Sequence, residues 1–144
     1  MMAGPLEGYK IIDLTTMIAG PFATMLLGDQ GADVIKVENR GRGDHVRATA
    51  NKHSGFSASF LNNNRNKRSI TLDLKDDQGR SVLHRLATTA DVLVQNFRPG
   101  VVERLGISEE EIRPIAPQLI YVSMSGFGSK GPYVHKPVYD PIVQ

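Results

Sequence analysis

Five short stretches, either continuously apolar or alternating in polarity, dominate the hydrophobic pattern of the chain. Each is too short for an ordinary helix and rich in branched aliphatic residues, which is typical of strands buried in a sheet. The predicted strands are 9–14, 34–38, 69–74, 92–94 and 119–125. Helix-length segments separate most of them, as strand–helix–strand units with parallel strands require.

Start and stop signals place helices between these strands. Gly20 and Pro21 predict a helix start after the first strand, because Pro fits the first helical turn, and Gly31 predicts the end of that helix. After the third strand, Asp76 or Asp77 is the expected N-cap of a second helix.

The segment after the fourth strand has two shorter helical signals. Residues 101–105 have the pattern of a single helical turn. Ser108 and Glu111 form a capping-box pattern that predicts the start of a further helix. Pro114 would cost about 3 kcal/mol inside that helix, so the helix is expected to be short or bent.

This alternation predicts an α/β fold, a Rossmann-like open parallel sheet with flanking helices. We expect residues 1–144 to fold together as part of one α/β domain. Residues 39–68 are predicted to be irregular, with a short helix around 56–61.

Composition narrows the function classes. The 144 residues include 17 Lys and Arg against 15 Asp and Glu, a net charge of +2, which gives no support for a nucleic-acid or membrane-surface partner. The absence of cysteine excludes disulfides, thiol nucleophiles and zinc–thiolate sites. The four histidines have no ligand spacing, so no metal is expected. Without a visible signal peptide, a cytoplasmic location is expected.

The stretch 91–104 has the clearest functional pattern. Its buried strand delivers Asn96, Phe97 and Arg98 to a loop that precedes a helical turn carrying Arg104. In open α/β sheets, ligands bind beyond the carboxyl ends of the strands, and helix starts offer N–H groups to anions. The alternative is a surface turn with two solvated arginines and a partly buried ring.

Two dinucleotide-type signals are weak. Only Gly20 follows the first strand where a Rossmann fingerprint needs three glycines, so Glu38 is interpreted as a solvated strand end rather than a ribose ligand. Gly126, Gly128 and Gly131 have the fingerprint spacing, but no apolar helix follows them. A dinucleotide site is therefore not favoured.

The basic residues around the third strand leave two interpretations open. Arg65, Lys67, Arg68 and Lys75 are either solvated charges or part of a ligand site. In the second case, the loops after the first, third and fourth strands together offer positive charge, N–H groups and apolar faces. That combination suits a ligand with several phosphates and a flat ring.

Several motifs, in order along almost the whole chain, resemble the start of a family III CoA-transferase. They are PLEGYKIIDLTTMIAGPFATMLLGDQGADVIKVE, NRNKRSITLDLK, ADVLVQNFRPGVVERLG, PQLIYVSMSGFGSKGPY and VYD. This family includes formyl-CoA and carnitine CoA-transferases and α-methylacyl-CoA racemase. The resemblance implies that residues 1–144 are the N-terminal, coenzyme A-binding part of a large α/β domain, in an intertwined homodimer with a smaller domain elsewhere. Coenzyme A has both the phosphates and the flat ring that the loops at the sheet edge suit.

The resemblance also implies individual coenzyme A contacts, with no metal. Family members often have Arg where this chain has Asn39, so the neighbouring Arg40 is the expected substitute. The implied contacts are Ile18, Ala19, Asn39, Arg40, Leu72, Asp73, Leu74, Lys75, Asn96, Phe97, Arg98, Arg104, Lys136, Pro137, Val138 and Tyr139.

The implied reaction moves CoA from an acyl-CoA donor to a small carboxylic acid through aspartyl-anhydride and aspartyl-CoA thioester intermediates. The nucleophilic Asp belongs to a Gly-Asp motif expected beyond Gln144, so Asp140 is not that residue. No catalytic residue is assigned within 1–144, and this chain is expected to be inactive alone. Racemase relatives have a catalytic His at the position of Tyr139, which favours a transferase. A racemase-like enzyme and a non-catalytic binding or dimerisation fragment remain the alternatives.

Overall fold

Strands and helices alternate along the chain. The computed structural model describes residues 4–49, 52–139, 141 and 144, and Asp140 therefore lies outside the described residues. The strands are β1 (Lys10–Asp13), β2 (Asp33–Asn39), β3 (Lys52–His53), β4 (Phe56–Ser57), β5 (Lys67–Leu72), β6 (Val92–Gln95) and β7 (Ile120–Ser123). The helices are α1 (Ala19–Asp29), α2 (Ala58–Asn64), α3 (Asp77–Ala87), α4 (Val101–Arg104) and α5 (Glu109–Ile112), with a 3-10 helix at His45–Ala48.

The main sheet is open and parallel, in the order β5-β2-β1-β6-β7. Ile12 of β1 pairs with Ile35 on one side and Leu93 on the other. The chain first builds the sheet outward from β1 through β2 and β5, then returns to β6 and β7. The order therefore reverses between β1 and β6, which is where doubly wound folds place their ligand crevice. The predicted α/β class with an open parallel sheet is confirmed.

Successive residues of β1 feed two different cores, because side chains alternate across a strand. Ile11 joins Val34 and Val94 in a smaller cluster that includes Leu27 of α1. Ile12 points to the larger cluster on the other face, where Leu83 of α3 is fully buried. That larger cluster also includes Val102 of α4 and Ile112 of α5.

Most predicted boundaries are close to the observed ones. Asp76, rather than Asp77, caps α3 by accepting hydrogen bonds from the N–H groups of Gln78 and Gly79. The capping box of Ser108 and Glu111 is present. The strand predicted at 69–74 instead begins and ends two residues earlier, at Lys67–Leu72.

Residues 39–68 contain more regular structure than the sequence predicted. Beside the 3-10 helix and the β3–β4 hairpin, α2 spans Ala58–Asn64 and thus begins two residues after the helix predicted at 56–61. The buried Ser57 caps α2 by accepting a hydrogen bond from the N–H of Phe60. Within the described part of the chain, no helix is long and apolar enough to cross a membrane.

Candidate functional site at the carboxyl edge of the sheet

The implied coenzyme A contacts at 18–19, 39–40, 72–75 and 96–98 lie at or just after the carboxyl ends of β1, β2, β5 and β6, so the parallel topology gathers them at one edge. Ile18 and Ala19 lie at the start of α1, in the loop region after β1, and both are exposed. At the end of β2, Asn39 is directly in register with Leu72 of β5. Asn39 and Arg40 therefore lie beside the segment 72–75.

Asn96 links the loops that follow β1 and β6 through a reciprocal pair of hydrogen bonds. Its side-chain Oδ1 accepts from the N–H of Thr16 at 2.9 Å, and its Nδ2 donates to the carbonyl of Thr16 at 2.8 Å. The sequence predicted Asn96 as a ligand contact. In the structure its amide joins the loop after β6 to the loop after β1, which brings 96–98 close to Ile18 and Ala19.

The loop after β6 presents an aromatic ring and two guanidinium groups. Phe97 is half-buried against the larger core cluster, and its N–H donates to Oε1 of Gln95 at 2.8 Å. Arg98 and Arg104 are both exposed. Gly100 has a φ of 81°, and a Cβ there would lie 3.2 Å from an Nη atom of Arg104. This turn leads into α4, whose last residue is Arg104.

The glycine-rich loop after β7 folds back on the last implied contact segment, 136–139. A Cβ on Gly126 would lie 2.2 Å from a methyl carbon of Val138, so only glycine permits this approach. Lys136 stands 3.8 Å from the centre of the Tyr133 ring, a cation–π contact. Residues 125–139 form turns and bends, and no helix follows Gly131 within this segment.

The structure contradicts the interpretation of Glu38 as a solvated strand end. Glu38 is buried, and Arg47 binds both of its carboxylate oxygens at 2.7 Å. Ser69 and the N–H of Asp44 donate to the same carboxylate, which fills its acceptor positions. The Arg47 guanidinium also lies 3.7 Å from the centre of the Phe60 ring. Glu38 is therefore a structural anion with no acceptor left for a ribose hydroxyl.

These contacts predict an acid-sensitive contribution to stability. Burial acts to raise the pKa of Glu38, but the hydrogen bonds from Arg47, Ser69 and the Asp44 N–H outweigh it and lower the pKa to about 2. The carboxyl has an ordinary pKa of 4.5. The contribution of this carboxyl to the free energy of unfolding is thus fully present above pH 4.5 and is lost as the pH falls toward 2.

We expect the wild-type protein to lose more stability than Glu38→Gln between pH 7 and pH 3.5. Linkage gives a loss at this site of about 1 kcal/mol by pH 3.5, out of roughly 3 kcal/mol in total. Urea unfolding of both proteins at the two pH values measures the difference. An identical loss in Glu38→Gln would show that Glu38 titrates normally in the folded state.

A cluster of buried charges beneath the β1 loop was not predicted. Asp13 is fully buried and accepts hydrogen bonds from Thr24 Oγ1 at 2.8 Å and Lys67 Nζ at 2.9 Å. Lys36 Nζ donates to the carbonyl of Thr15 at 2.8 Å and lies 3.0 Å from Oδ2 of Asp44. Each buried cation thus has a carboxylate and a carbonyl as partners.

The electrostatics of this cluster favour the charged form of Asp13. Burial acts to raise the pKa of Asp13, but the positive charges of Lys36 and Lys67 outweigh it and hold that pKa below its usual value. Burial lowers the pKa of Lys67, and the charge of Asp13 only partly offsets this effect. The charges fix the relative positions of β1, β2 and β5.

The basic residues around the start of β5 are therefore partly explained by internal ion pairs. Lys67 has a buried side chain and is not solvated, contrary to the first interpretation. Arg65 and Arg68 bind the carboxylates of Asp29 and Asp33 and remain partly exposed. Lys67 therefore fits neither interpretation, whereas Arg65 and Arg68 are solvent-exposed charges that also form ion pairs. Lys75 is exposed at the carboxyl edge, as the second interpretation requires.

No group of three or more potential metal ligands occurs among the described residues. The carboxyl edge instead offers exposed cations, backbone N–H groups at the start of α1 and apolar surfaces from Ile18 and Phe97. This arrangement can hold an extended ligand that is anionic at one end and flat or apolar elsewhere.

Known proteins resemble this chain in sequence over nearly its whole length. The sequence pattern of CoA-transferase family III matches residues 6–144. Acetyl-CoA:oxalate CoA-transferase of Acetobacter aceti is 48% identical over 98% of this chain and 36% of its own length. Succinyl-CoA:glutarate CoA-transferase of Mus musculus is 47% identical over 96% of this chain and 32% of its own length.

A solved structure gives the same result. A CAIB/BAIF family protein from Brucella suis superposes with a TM-score of 0.93 at 40% identity, over 99% of this chain and 39% of that protein. The chain spans about a third of the length of the curated relatives it matches, 36% and 32% for the two named above. The match covers nearly the whole chain in both sequence and fold, and the chain belongs to CoA-transferase family III.

Proposed function

We propose that the full-length protein is an acyl-CoA:carboxylate CoA-transferase and that residues 1–144 supply its coenzyme A-binding edge. The observation that carries this proposal is the gathering of the implied contacts at the carboxyl edge, around the switch point between β1 and β6. Family membership supports the enzyme class, since the matched relatives are named as transferases that act on acyl-CoA and small dicarboxylates.

The proposed reaction needs a carboxylate nucleophile. An Asp beyond Gln144 attacks the thioester carbonyl, the C–S bond breaks, and the CoA thiolate leaves an aspartyl anhydride. The thiolate then attacks the aspartyl carbonyl and releases the original acid, which yields an aspartyl-CoA thioester. The incoming carboxylate repeats these steps in reverse and departs as the new acyl-CoA. Residues of this chain bind and orient the CoA portion throughout.

Each part of the edge has a proposed role. Arg98, Arg104 and Lys75 offer positive charge to the phosphates, and Phe97 offers an apolar surface to the adenine ring. Tyr139 is 63% exposed in the segment proposed to lie near the pantetheine. A tyrosine here, in place of the catalytic histidine of racemase relatives, is the reason to propose a transferase rather than a racemase.

An intertwined homodimer is part of the proposal. Ile18, Phe22 and Leu26 follow one another at four-residue spacing along α1 and are 59%, 45% and 42% exposed. The edge strand β7 also begins with an exposed isoleucine, Ile120, at 61%. Such apolar surface is typical of an interface or of contact with the rest of the polypeptide.

We expect Arg104→Ala to weaken coenzyme A binding of the full-length protein by about 1.5–3 kcal/mol, roughly 10- to 150-fold, because a charge-assisted hydrogen bond to phosphate is lost. Phe97→Ala is expected to weaken it as well, through loss of stacking. Isothermal titration calorimetry with coenzyme A measures both.

Arg85→Ala is the matched control for this titration. Arg85 is also an exposed arginine, but it lies in the last turn of α3, at the end of that helix away from the carboxyl edge. Unchanged affinity in both Phe97→Ala and Arg104→Ala would show that the coenzyme A site has been assigned wrongly. A full-length protein without affinity for coenzyme A would refute the proposed function.

A further inference from the structure

The loop between β1 and α1 is held almost entirely through its backbone. Asp13 Oδ1 accepts from the N–H of Thr15, and Lys36 Nζ donates to the carbonyl of Thr15. Asn96 pairs with both backbone groups of Thr16. The next residue, Met17, donates its N–H to Oδ1 of Asp44 at 3.1 Å. Side chains from β1, β2, the loop after β2 and the loop after β6 thus fix three consecutive residues.

Met17 occupies a backbone conformation that is unfavourable for its residue type. Its φ is 71°, in the left-handed region that L-residues other than glycine seldom adopt. The side chain is 36% exposed and does not belong to either core cluster. Packing therefore does not explain the conformation, and the hydrogen bond from its N–H to Asp44 is the visible restraint. Such outliers persist where the surroundings over-determine them.

Asp44 is itself buried, with 1% exposure, and is fixed from several sides. Its Oδ1 also accepts from the N–H of Val46, its Oδ2 pairs with Lys36, and its own N–H donates to Glu38. Asp44 belongs to the loop after β2, just beyond Asn39 and Arg40. One carboxylate therefore connects the loop after β2 to the loop after β1.

We propose that Asp44 is a positioning residue for the coenzyme A site. It holds Met17 in the left-handed conformation, which sets the direction in which Ile18, Ala19 and the first N–H groups of α1 face the ligand. This inference rests on the proposed function, because it names what keeps that site's contact loop in its binding conformation.

The arrangement of Lys36 and Asp44 supports a role beyond stability. Replacing a buried ion pair by apolar residues is often neutral or stabilising, so such a pair is weak support for a purely stabilising role. An apolar residue at position 44 would fill the space but would offer no acceptor to the Met17 N–H. The acceptor oxygen, rather than the charge, is the feature that the contact loop requires.

Two double variants of the full-length protein separate the oxygen from the charge. Lys36→Met with Asp44→Asn keeps an acceptor oxygen for Met17, whereas Lys36→Met with Asp44→Leu does not, and both remove the same ion pair. We expect the KM for acyl-CoA to be at least about ten-fold higher in the Leu variant, with kcat values within about three-fold of each other. Equal KM values in the two variants would overturn the inference.

A second pair of variants tests the same contact without touching the buried charges. Met17→Gly keeps the N–H and accepts a φ of 71°, whereas Met17→Pro lacks the N–H and is locked near −65°. Met17 is at the surface, so both proteins are expected to fold. The KM of Met17→Pro should exceed that of Met17→Gly by at least about ten-fold; similar KM values would overturn the inference.

The wild-type protein decides which idea has failed. A wild-type protein that binds coenzyme A and exchanges it, combined with equal KM values in both variant pairs, refutes the positioning role alone. A wild-type protein that neither binds nor exchanges coenzyme A refutes the proposed function and this inference together.

Discussion

Replacing Asp13 by Ala is expected to lower the free energy of unfolding by about 3–5 kcal/mol, because removal of one partner leaves buried charges without compensation. Asp13 is fully buried, and Lys67, Thr15 and Thr24 all donate hydrogen bonds to it. Without the carboxylate, the ammonium of Lys67 keeps only the carbonyl of Pro21 and the amide oxygen of Asn64 as partners. Urea unfolding of the full-length protein measures the loss.

Asp33→Ala is the matched control for that measurement. Asp33 also pairs with a basic residue of β5, Arg68, but their side chains are 39% and 66% exposed. Solvent-exposed pairs of this kind contribute about 0–1 kcal/mol. Similar losses in Asp13→Ala and Asp33→Ala would mean that the Asp13 site is hydrated and that its ion pair is not a buried one.

The sheet could be predicted because its central strands obey a simple rule. Strands covered on both faces are continuously apolar, as in Val92, Leu93 and Val94 of β6, and the intervening helices imply parallel pairing. The edge strand β5 was displaced by two residues in the prediction. Its first residues, Lys67 and Arg68, looked like loop charges because their carboxylate partners, Asp13 and Asp33, lie far away in sequence.

The buried charges beneath the site could not be predicted from composition or local pattern. Lysine and aspartate are almost never fully buried unless they are paired, and pairing is a tertiary property. One signal was present in β2, where Lys36 and Glu38 share a strand face with Val34, a core residue. This alternation does not by itself predict burial of the two charges, because it does not identify Asp44 and Arg47 as their partners.

The position of the candidate site followed from chain order, whereas its internal contacts did not. Loops after parallel strands must meet at one edge, so the loops after the first, third and fourth predicted strands were correctly expected on the same side of the sheet. The side-chain amide of Asn96 hydrogen-bonds to Thr16, and this contact depends on the distance between two loops that are 80 residues apart in sequence. The strained conformation of Met17 also has no signal in the sequence, because no glycine marks it.

The chain 1–144 expressed alone is expected to show no CoA exchange between an acyl-CoA and a free carboxylic acid. The proposed reaction needs a carboxylate nucleophile, which the resemblance places beyond Gln144. Without covalent capture of the acyl group, bound coenzyme A has no route to a second acid. In the same sample, light scattering is expected to show association, driven by exposed apolar residues such as Phe22 and Leu26.

The control for this prediction is Asp140→Asn in the full-length protein, which removes the last aspartate of this chain while leaving later residues intact. We expect this variant to retain turnover, measured by following acyl-CoA products chromatographically, because Asp140 is not the proposed nucleophile. Exchange by residues 1–144 alone that Asp140→Asn abolishes would place the nucleophile within this chain. In that case Asp140 would be the nucleophile of the covalent route, and an Asp beyond Gln144 would not be needed.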